Sequence, residues 1–214
     1  MEKKDLSGLR QEYAGSPLLE HEVDRHPLLQ FGRWFEQAVA AGLPEPNAMT
    51  LATVGQEGTP AARVVLLKEV DAQGFVFYTN YLSNKGRELQ KHPHAALVFL
   101  WLELQRQVRV EGHAEVISGA ESDAYFMSRP PESRLGAIAS PQSREIPSRE
   151  YLEERYGQVR KEYEAKPLTR PHHWGGYRLI PRKMEFWQGR QNRLHDRIVY
   201  LKHEAGWLIR RLAP

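Results

Sequence analysis

Between Ala48 and Asn80 the chain reads AMTLATV, then GQEG, then TPAARVVLLKEV, then DAQG, then FVFYTN. Short runs rich in β-branched and aromatic residues, cut by glycine-bearing turns, read as strands joined by hairpins. Hairpins this tight join only antiparallel neighbours, so the stretch commits the chain to an antiparallel meander. AALVFLWL and QRQVRVEGHAEVI continue the pattern, the second alternating Val108, Val110, Ala114 and Val116 around Gly112, where a bulge is expected. Four further strands are expected at GYRLIPR, KMEFWQ, RIVYLK and WLIRRL.

Helices flank these strands. LLQFGRWFEQAVAAGL places Leu28, Phe31, Phe35 and Val39 at helical spacing and stops at Gly42 and Pro44, a helix of about four turns. ESDAYFMSR, ESRLGAIAS and the charged run from Ser148 to Ala165 are also expected to be helical. Many short strands at near-even spacing give a mainly β, α+β chain whose strands close, or nearly close, into a barrel with helices packed around it. There is no internal repeat and no low-complexity tract. A length of 214 residues suits one substantial core, with residues 1–20 as an appended N-terminal segment and residues 21–214 as a single domain.

No apolar run approaches the roughly 20 residues that cross a bilayer, so no membrane partner is expected. The start, MEKKDLSGLRQEY, lacks the apolar core of a secretory signal, and a chain without cysteine has neither disulfides nor thiolate metal sites; the cytoplasm is the expected location. The net charge of +3 does not by itself imply nucleic acid, because 30 basic and 27 acidic residues are mostly interleaved, as in SREYLEERYGQVRKEYE. A metal site is weakly supported: His92 and His94, or His172 and His173, lack carboxylates at ligand spacing and are better read as turn and core histidines.

Four basic clusters carry the functional signal. In ARVVLLK, Arg63 and Lys68 lie five positions apart, so a regular strand sends them to opposite faces, where they serve different anions or snorkel to water. In YTNYLSNKGREL, Ser83 can cap a helix beginning at Asn84, offering backbone N–H groups, Lys85 and the hydroxyls of Thr79 and Ser83 to an anion; an ordinary capped surface helix is the alternative. In YFMSRPPESR, Tyr125, Arg129 and Ser133 recur every fourth residue, a polar stripe if the helix is unbroken, although Pro130 and Pro131 favour a break. In MEFWQGRQNRLHDR, a strand over RLHDR places Arg193, His195 and Arg197 on one face behind Trp187. Such a face suits a planar, electron-poor, anionic ligand, because arginine both pairs with anions and stacks on rings.

The ending EFWQ-x4-RLHDR, with RVVLLK, FYTNYLSNK, QVRVEG, YFMSRPPESR, SPQS and the terminal RLAP in that order, resembles the pyridoxine (pyridoxamine) 5′-phosphate oxidase family from Arg10 onward. The resemblance implies a split β-barrel that binds FMN and forms a homodimer with active sites at the subunit interface. It implies oxidation of phosphorylated B6 vitamers, with oxygen as acceptor and hydrogen peroxide as product. Carried onto this sequence, it places Arg63, Lys68, Tyr78, Thr79, Ser83, Asn84 and Lys85 at the cofactor, with Gln107, Gln142, Ser143, Trp187 and Arg197 at the flavin or its chain. Lys68, Tyr125, Arg129 and Ser133 match the cradle of the substrate phosphate. Arg193 and His195 match the catalytic pair over the pyridine ring, and Arg10 and Tyr13 fit a segment that closes on the site. Many members carry Ser-Arg-Lys where this chain has Ser83-Asn84-Lys85, so one cation is missing. A split-barrel flavin reductase, an FMN-binding protein without turnover and a nucleic-acid-binding barrel are the competing functions.

Overall fold

In a computed structural model that describes residues 4–6, 8–9, 12–55, 57–164 and 166–214, the two hairpins expected between residues 48 and 80 appear, but not as one continuous meander: the run PAARVVLLKEV breaks after Leu66, and the two hairpins lie apart in the sheet. In chain order the described residues form α1 (Pro27–Ala40), β1 (Ala48–Val54), β2 (Pro60–Leu66), β3 (Glu69–Val70), β4 (Phe75–Asn80), α2 (Asn84–Lys91), β5 (His94–Trp101) and β6 (Arg106–Val116). These are followed by α3 (Gly119–Ser128), α4 (Pro131–Ala139), α5 (Arg149–Glu162), β7 (Trp174–Gln188), β8 (Asp196–His203) and β9 (Gly206–Arg211). The sheet order is β2-β1-β5-β6-β7-β4-β3, with β8 on β7 and β9 on β8. The chain divides into two compact units, residues 1–46, 97–110 and 182–214, and residues 47–96 and 111–181; β5, β6 and β7 each run from one into the other.

In the second unit, β1 and β2 pair antiparallel from Ala48 opposite Leu66 to Val54 opposite Pro60. There β4 pairs with the first half of β7, from Phe75 opposite Leu179 to Asn80 opposite Trp174. Phe75, Val76 and Phe77 are all fully buried, so β4 is covered on both faces, which is why it reads as a continuous apolar run. Each such phenylalanine contributes roughly 1.5–3 kcal/mol through burial. In the first unit, α1 packs Phe31 on Phe99 with ring centroids 4.9 Å apart and Trp34 edge-on to Phe186 at 5.3 Å. Phe186 in turn meets Tyr200 of β8, at 5.5 Å. The buried stripe of α1 is Leu28, Phe31, Trp34 and Ala38, whereas Val39, expected on it, is 53% exposed. At 100° per residue the stripe centres on Phe31 and Ala38, and Val39 falls on its edge.

Two expectations about the C-terminal strands need correction. GYRLIPR and KMEFWQ are one 15-residue strand, β7, because Pro181 sits within it without ending it. RLHDR is not a strand throughout: Gln191–Arg193 form a 3₁₀ turn with Asn192 at φ 55° and Arg193 at φ 61°, and β8 begins only at Asp196. The histidines at 92, 94, 172 and 173 sit at element ends and turns, as expected, but none belongs to the core. Among the described residues no three His, Cys, Asp or Glu side chains converge as metal ligands, and no helix is long and apolar enough to cross a membrane.

Candidate active site

Each unit carries a polar cavity. The cavity of the second unit, about 680 Å³, is lined by Arg63, Lys68, Lys85 and Arg129, by Thr79, Ser133 and Gln142, and by Tyr78, Tyr125 and Trp174. Arg63 and Lys68 therefore share a cavity, contrary to the expectation of opposite faces. Strand β2 ends at Leu66, so alternation does not extend to Lys68. Arg63 is held from behind: its guanidinium pairs with Glu88 at 2.9 Å and also donates to the Thr53 hydroxyl, which donates to the same Glu88 oxygen at 2.5 Å.

The β4–α2 loop supplies the next contacts. Ser83 caps α2 as expected, accepting from the Gly86 N–H at 3.3 Å and donating to the Asn80 carbonyl at 2.7 Å, and is fully buried. The cap turns Lys85 toward Gln142, whose Oε1 accepts from Lys85 Nζ at 3.0 Å and from the Thr79 hydroxyl at 3.1 Å. Burial, with the nearby charge of Arg63, lowers the Lys85 pKa, the signature of a cation that gains from an added anion. The loop also needs glycine at 86, because a Cβ there would stand 2.3 Å from the Tyr81 carbonyl oxygen. Gly86→Ala is expected to cost about 1–3 kcal/mol by overpacking, lowering Tm by about 2–4 °C per kcal/mol, as a thermal melt would show.

Opposite lies an aromatic wall. Tyr78 stacks on Tyr125 with centroids 3.8 Å apart and on Trp174 at 5.4 Å, and the Arg129 guanidinium covers the Trp174 ring at 4.7 Å. Burial pushes the Tyr78 hydroxyl up to about 12, so it stays a neutral donor. The helix breaks at Arg129 and Pro130, as the proline pair foretells, yet Tyr125, Arg129 and Ser133 still line one cavity. Arg129 Nη1 is buried without a hydrogen-bond partner, a costly state for a guanidinium unless an anion completes it. Among the described residues no carboxylate lines this cavity. Its donors and flat rings fit phosphorylated aromatic groups such as FMN and a phosphorylated pyridine.

The cavity of the first unit, about 660 Å³, is lined by Tyr13, Trp187, Arg190, Asn192, Arg193 and His195, with Leu9 and Glu12. Tyr13 meets Trp187 edge-on at 5.7 Å and His195 at 5.5 Å, while Trp187 and His195 lie 4.6 Å apart. Gly189 lets the Tyr13 ring settle on the backbone, since a Cβ there would stand 2.9 Å from it. The segment bearing Tyr13 is fixed by the Ala14 N–H to Gln105 at 2.8 Å and the Leu18 N–H to Asp196 at 3.1 Å. Burial, and then the Arg193 charge, lower the His195 pKa. Arg10 lies outside the described residues.

Arg197 departs from the expected shared face. It pairs with the buried Glu185 at 2.8 Å and donates to the Ala213 carbonyl at 2.9 Å, while Arg193 and His195 line the cavity from the preceding turn. Ser83, Asn84, Gln107 and Ser143 also line neither cavity; Ser83 is occupied as the cap, and Ser143 sits exposed at φ 67°. Three residues escaped the sequence reading: Trp174 under Arg129, Glu88 behind Arg63, and Arg190 beside His195. Trp174 was the most findable, as an aromatic opening a strand next to a basic cluster; the other two act through tertiary contacts that no local pattern announces.

A helix-flanked antiparallel sheet, with a cavity lined by Arg63, Lys68, Lys85 and Arg129, defines an α+β protein of the split-barrel class. Residues 35–163 match the family model described as pyridoxamine 5′-phosphate oxidase, and residues 174–214 match that of the pyridoxine 5′-phosphate oxidase C-terminal dimerisation region. The chain belongs to the pyridoxamine 5′-phosphate oxidase family. A pyridoxine/pyridoxamine 5′-phosphate oxidase of Nostoc sp. is 56% identical over 212 residues, covering 99% of each chain. One of Synechocystis sp. is 54% identical over 214 residues, covering 100% of both. Among solved structures, PhzG from Burkholderia lata in complex with tetrahydrophenazine-1-carboxylic acid superposes with a TM-score of 0.88 at 30% identity, covering 94% of this chain and 100% of that one. A pyridoxamine 5′-phosphate oxidase-related, FMN binding protein from Nostoc punctiforme shares the fold, with a TM-score of 0.67 at 18% identity, over 85% of this chain and 96% of that one.

Proposed function

We propose that the chain is an FMN-dependent oxidase that converts pyridoxamine 5′-phosphate and pyridoxine 5′-phosphate to pyridoxal 5′-phosphate, with oxygen as acceptor, yielding hydrogen peroxide and, from the amine, ammonia. The observation that carries this reading is the carboxylate-free cavity with two sets of anion donors, one around Lys85 and one around Arg129. A flavin reductase or a simple FMN carrier has no use for the second set. The identity of 54–56% to relatives named for B6 phosphate oxidation supports the same substrate class.

Arg63, Tyr78, Thr79, Lys85 and Gln142 hold the FMN phosphate and ribityl end, with Ser83 and Asn84 shaping the loop. Lys68, Tyr125, Arg129 and Ser133 hold the substrate phosphate. Trp187, Gln107, Ser143 and Arg197 are assigned to the flavin or its chain, some from the partner subunit of a homodimer, an assembly that the match to a dimerisation region supports. FMN held by these residues would supply the redox chemistry, uptake of the hydride equivalent from C4′ of the substrate and its return to oxygen. Arg193 lies over the pyridine ring, orients it and offsets the negative charge that develops there. Tyr13 closes over the pyridine ring and excludes water. Water hydrolyses the imine product of the amine substrate, releasing ammonia. The reaction takes place in the cytoplasm.

Addition of pyridoxamine 5′-phosphate to the FMN-loaded protein without oxygen tests the reading. Flavin absorbance is expected to bleach in proportion to substrate, and an unchanged spectrum would refute it.

A further inference from the structure

We infer that His195 acts as a neutral hydrogen-bond donor through Nε2, held in that tautomer by the backbone N–H of Arg190, which makes Arg190 a positioning residue. The inference rests on the proposed reading of His195 as a substrate residue and deepens it, specifying what the imidazole offers.

A neutral imidazole carries one N–H and one lone-pair nitrogen. The Arg190 N–H points at His195 Nδ1 from 3.1 Å. A backbone amide only donates, so Nδ1 is the lone-pair nitrogen and the proton sits on Nε2, the nitrogen left for a ligand. That amide is itself anchored: Arg190 Nη1 donates to the Gly15 carbonyl at 2.5 Å, its Nε stands 3.5 Å from Asp196, and the preceding Gly189 N–H donates to the Gln105 carbonyl at 2.8 Å. The ring is held between Trp187 and the edge of Tyr13.

The arginines beside the imidazole oppose its protonation, and the carboxylates in reach favour it. Arg193 and Arg190 flank it, Asp196 is engaged by Arg190 and Arg211, and Glu12 is the carboxylate that lines the same cavity. Burial and Arg193 hold the His195 pKa below its ordinary 6.5. Protonation would set an Nδ1–H against the Arg190 N–H and break the contact. Activity supported by a neutral His195 is present above the lowered pKa and is lost as pH falls through it, so the acid limb lies below 6.5. A protonated Nε2 also cannot take a proton from C4′, which makes His195 a donor and not a base.

The full chain labelled with ¹⁵N-histidine tests this without turnover. Long-range ¹H–¹⁵N spectra at pH 7, with the His195 signals identified from their loss in His195→Gln, are expected to show Nε2 protonated and Nδ1 bare. Arg190→Ala is expected to mix the two tautomers. Glutamine places an amide N–H near the Nε2 position and asparagine near Nδ1, so His195→Gln is expected to keep about tenfold more kcat than His195→Asn, the size of one hydrogen bond. An Nδ1–H tautomer or an imidazolium at pH 7, or Asn outperforming Gln, would overturn the inference. The expected spectrum in a protein that fails to oxidise pyridoxamine 5′-phosphate would instead overturn the functional reading and leave the tautomer standing.

Discussion

Arg129→Ala is expected to raise the KM for pyridoxamine 5′-phosphate by about 10- to 150-fold while leaving FMN bound, the loss of one charge-assisted contact worth roughly 1.5–3 kcal/mol. The direction follows from the orphaned Nη1: the guanidinium is stacked on Trp174 and buried, with a donor that no protein group satisfies. Removing it sacrifices no internal hydrogen bond of that nitrogen, so the fold is little affected and the deficit appears in substrate binding. Lys68→Ala is expected to behave alike, although Lys68 lines the same cavity as Arg63 and Lys85. Steady-state kinetics alongside flavin content decide it. A variant that sheds its flavin would show that the two phosphates are assigned the wrong way round.

Arg193→Lys is expected to keep fold and FMN yet lower turnover and substrate affinity together, because lysine retains the charge but loses the planar fork and the stacking surface. A ring that is slightly misplaced can cost about 100-fold in rate. Arg193→Leu should be worse. The backbone adds an independent signature: Arg193 sits at φ 61°, a left-handed conformation that costs a residue with a side chain about 1 kcal/mol or more. Arg193→Gly should therefore abolish turnover while raising Tm by about 2–4 °C, the shift that ~1 kcal/mol gives a chain of this size. Unchanged kinetics in the Lys variant would reduce the role of Arg193 to charge alone.

The strands and turns from Ala48 to Asn80 were legible because alternation and glycine turns are local signals, and Ser83 was legible as a cap for the same reason. Local signals also brought out Arg129 and Ser133, whose spacing survives the proline break. The reading of RLHDR failed because two successive left-handed residues, Asn192 and Arg193, reset the side-chain directions, and alternation rules presuppose extended backbone. The same limit put Arg63 and Lys68 on opposite faces, since the end of β2 at Leu66 lies inside an unbroken apolar run. Arg197 was expected on one face with Arg193 and His195 because nothing near it in sequence reveals Glu185, its partner across the β7–β8 pairing. Residues that act through such partners become visible only in the fold.

Incubation of the FMN-loaded protein with pyridoxamine 5′-phosphate in air, following aldehyde and hydrogen peroxide together, tests the central claim most directly. The account predicts equal amounts of pyridoxal 5′-phosphate and peroxide, both suppressed in Arg129→Ala at low substrate. Flavin-loaded protein that forms neither product would contradict it.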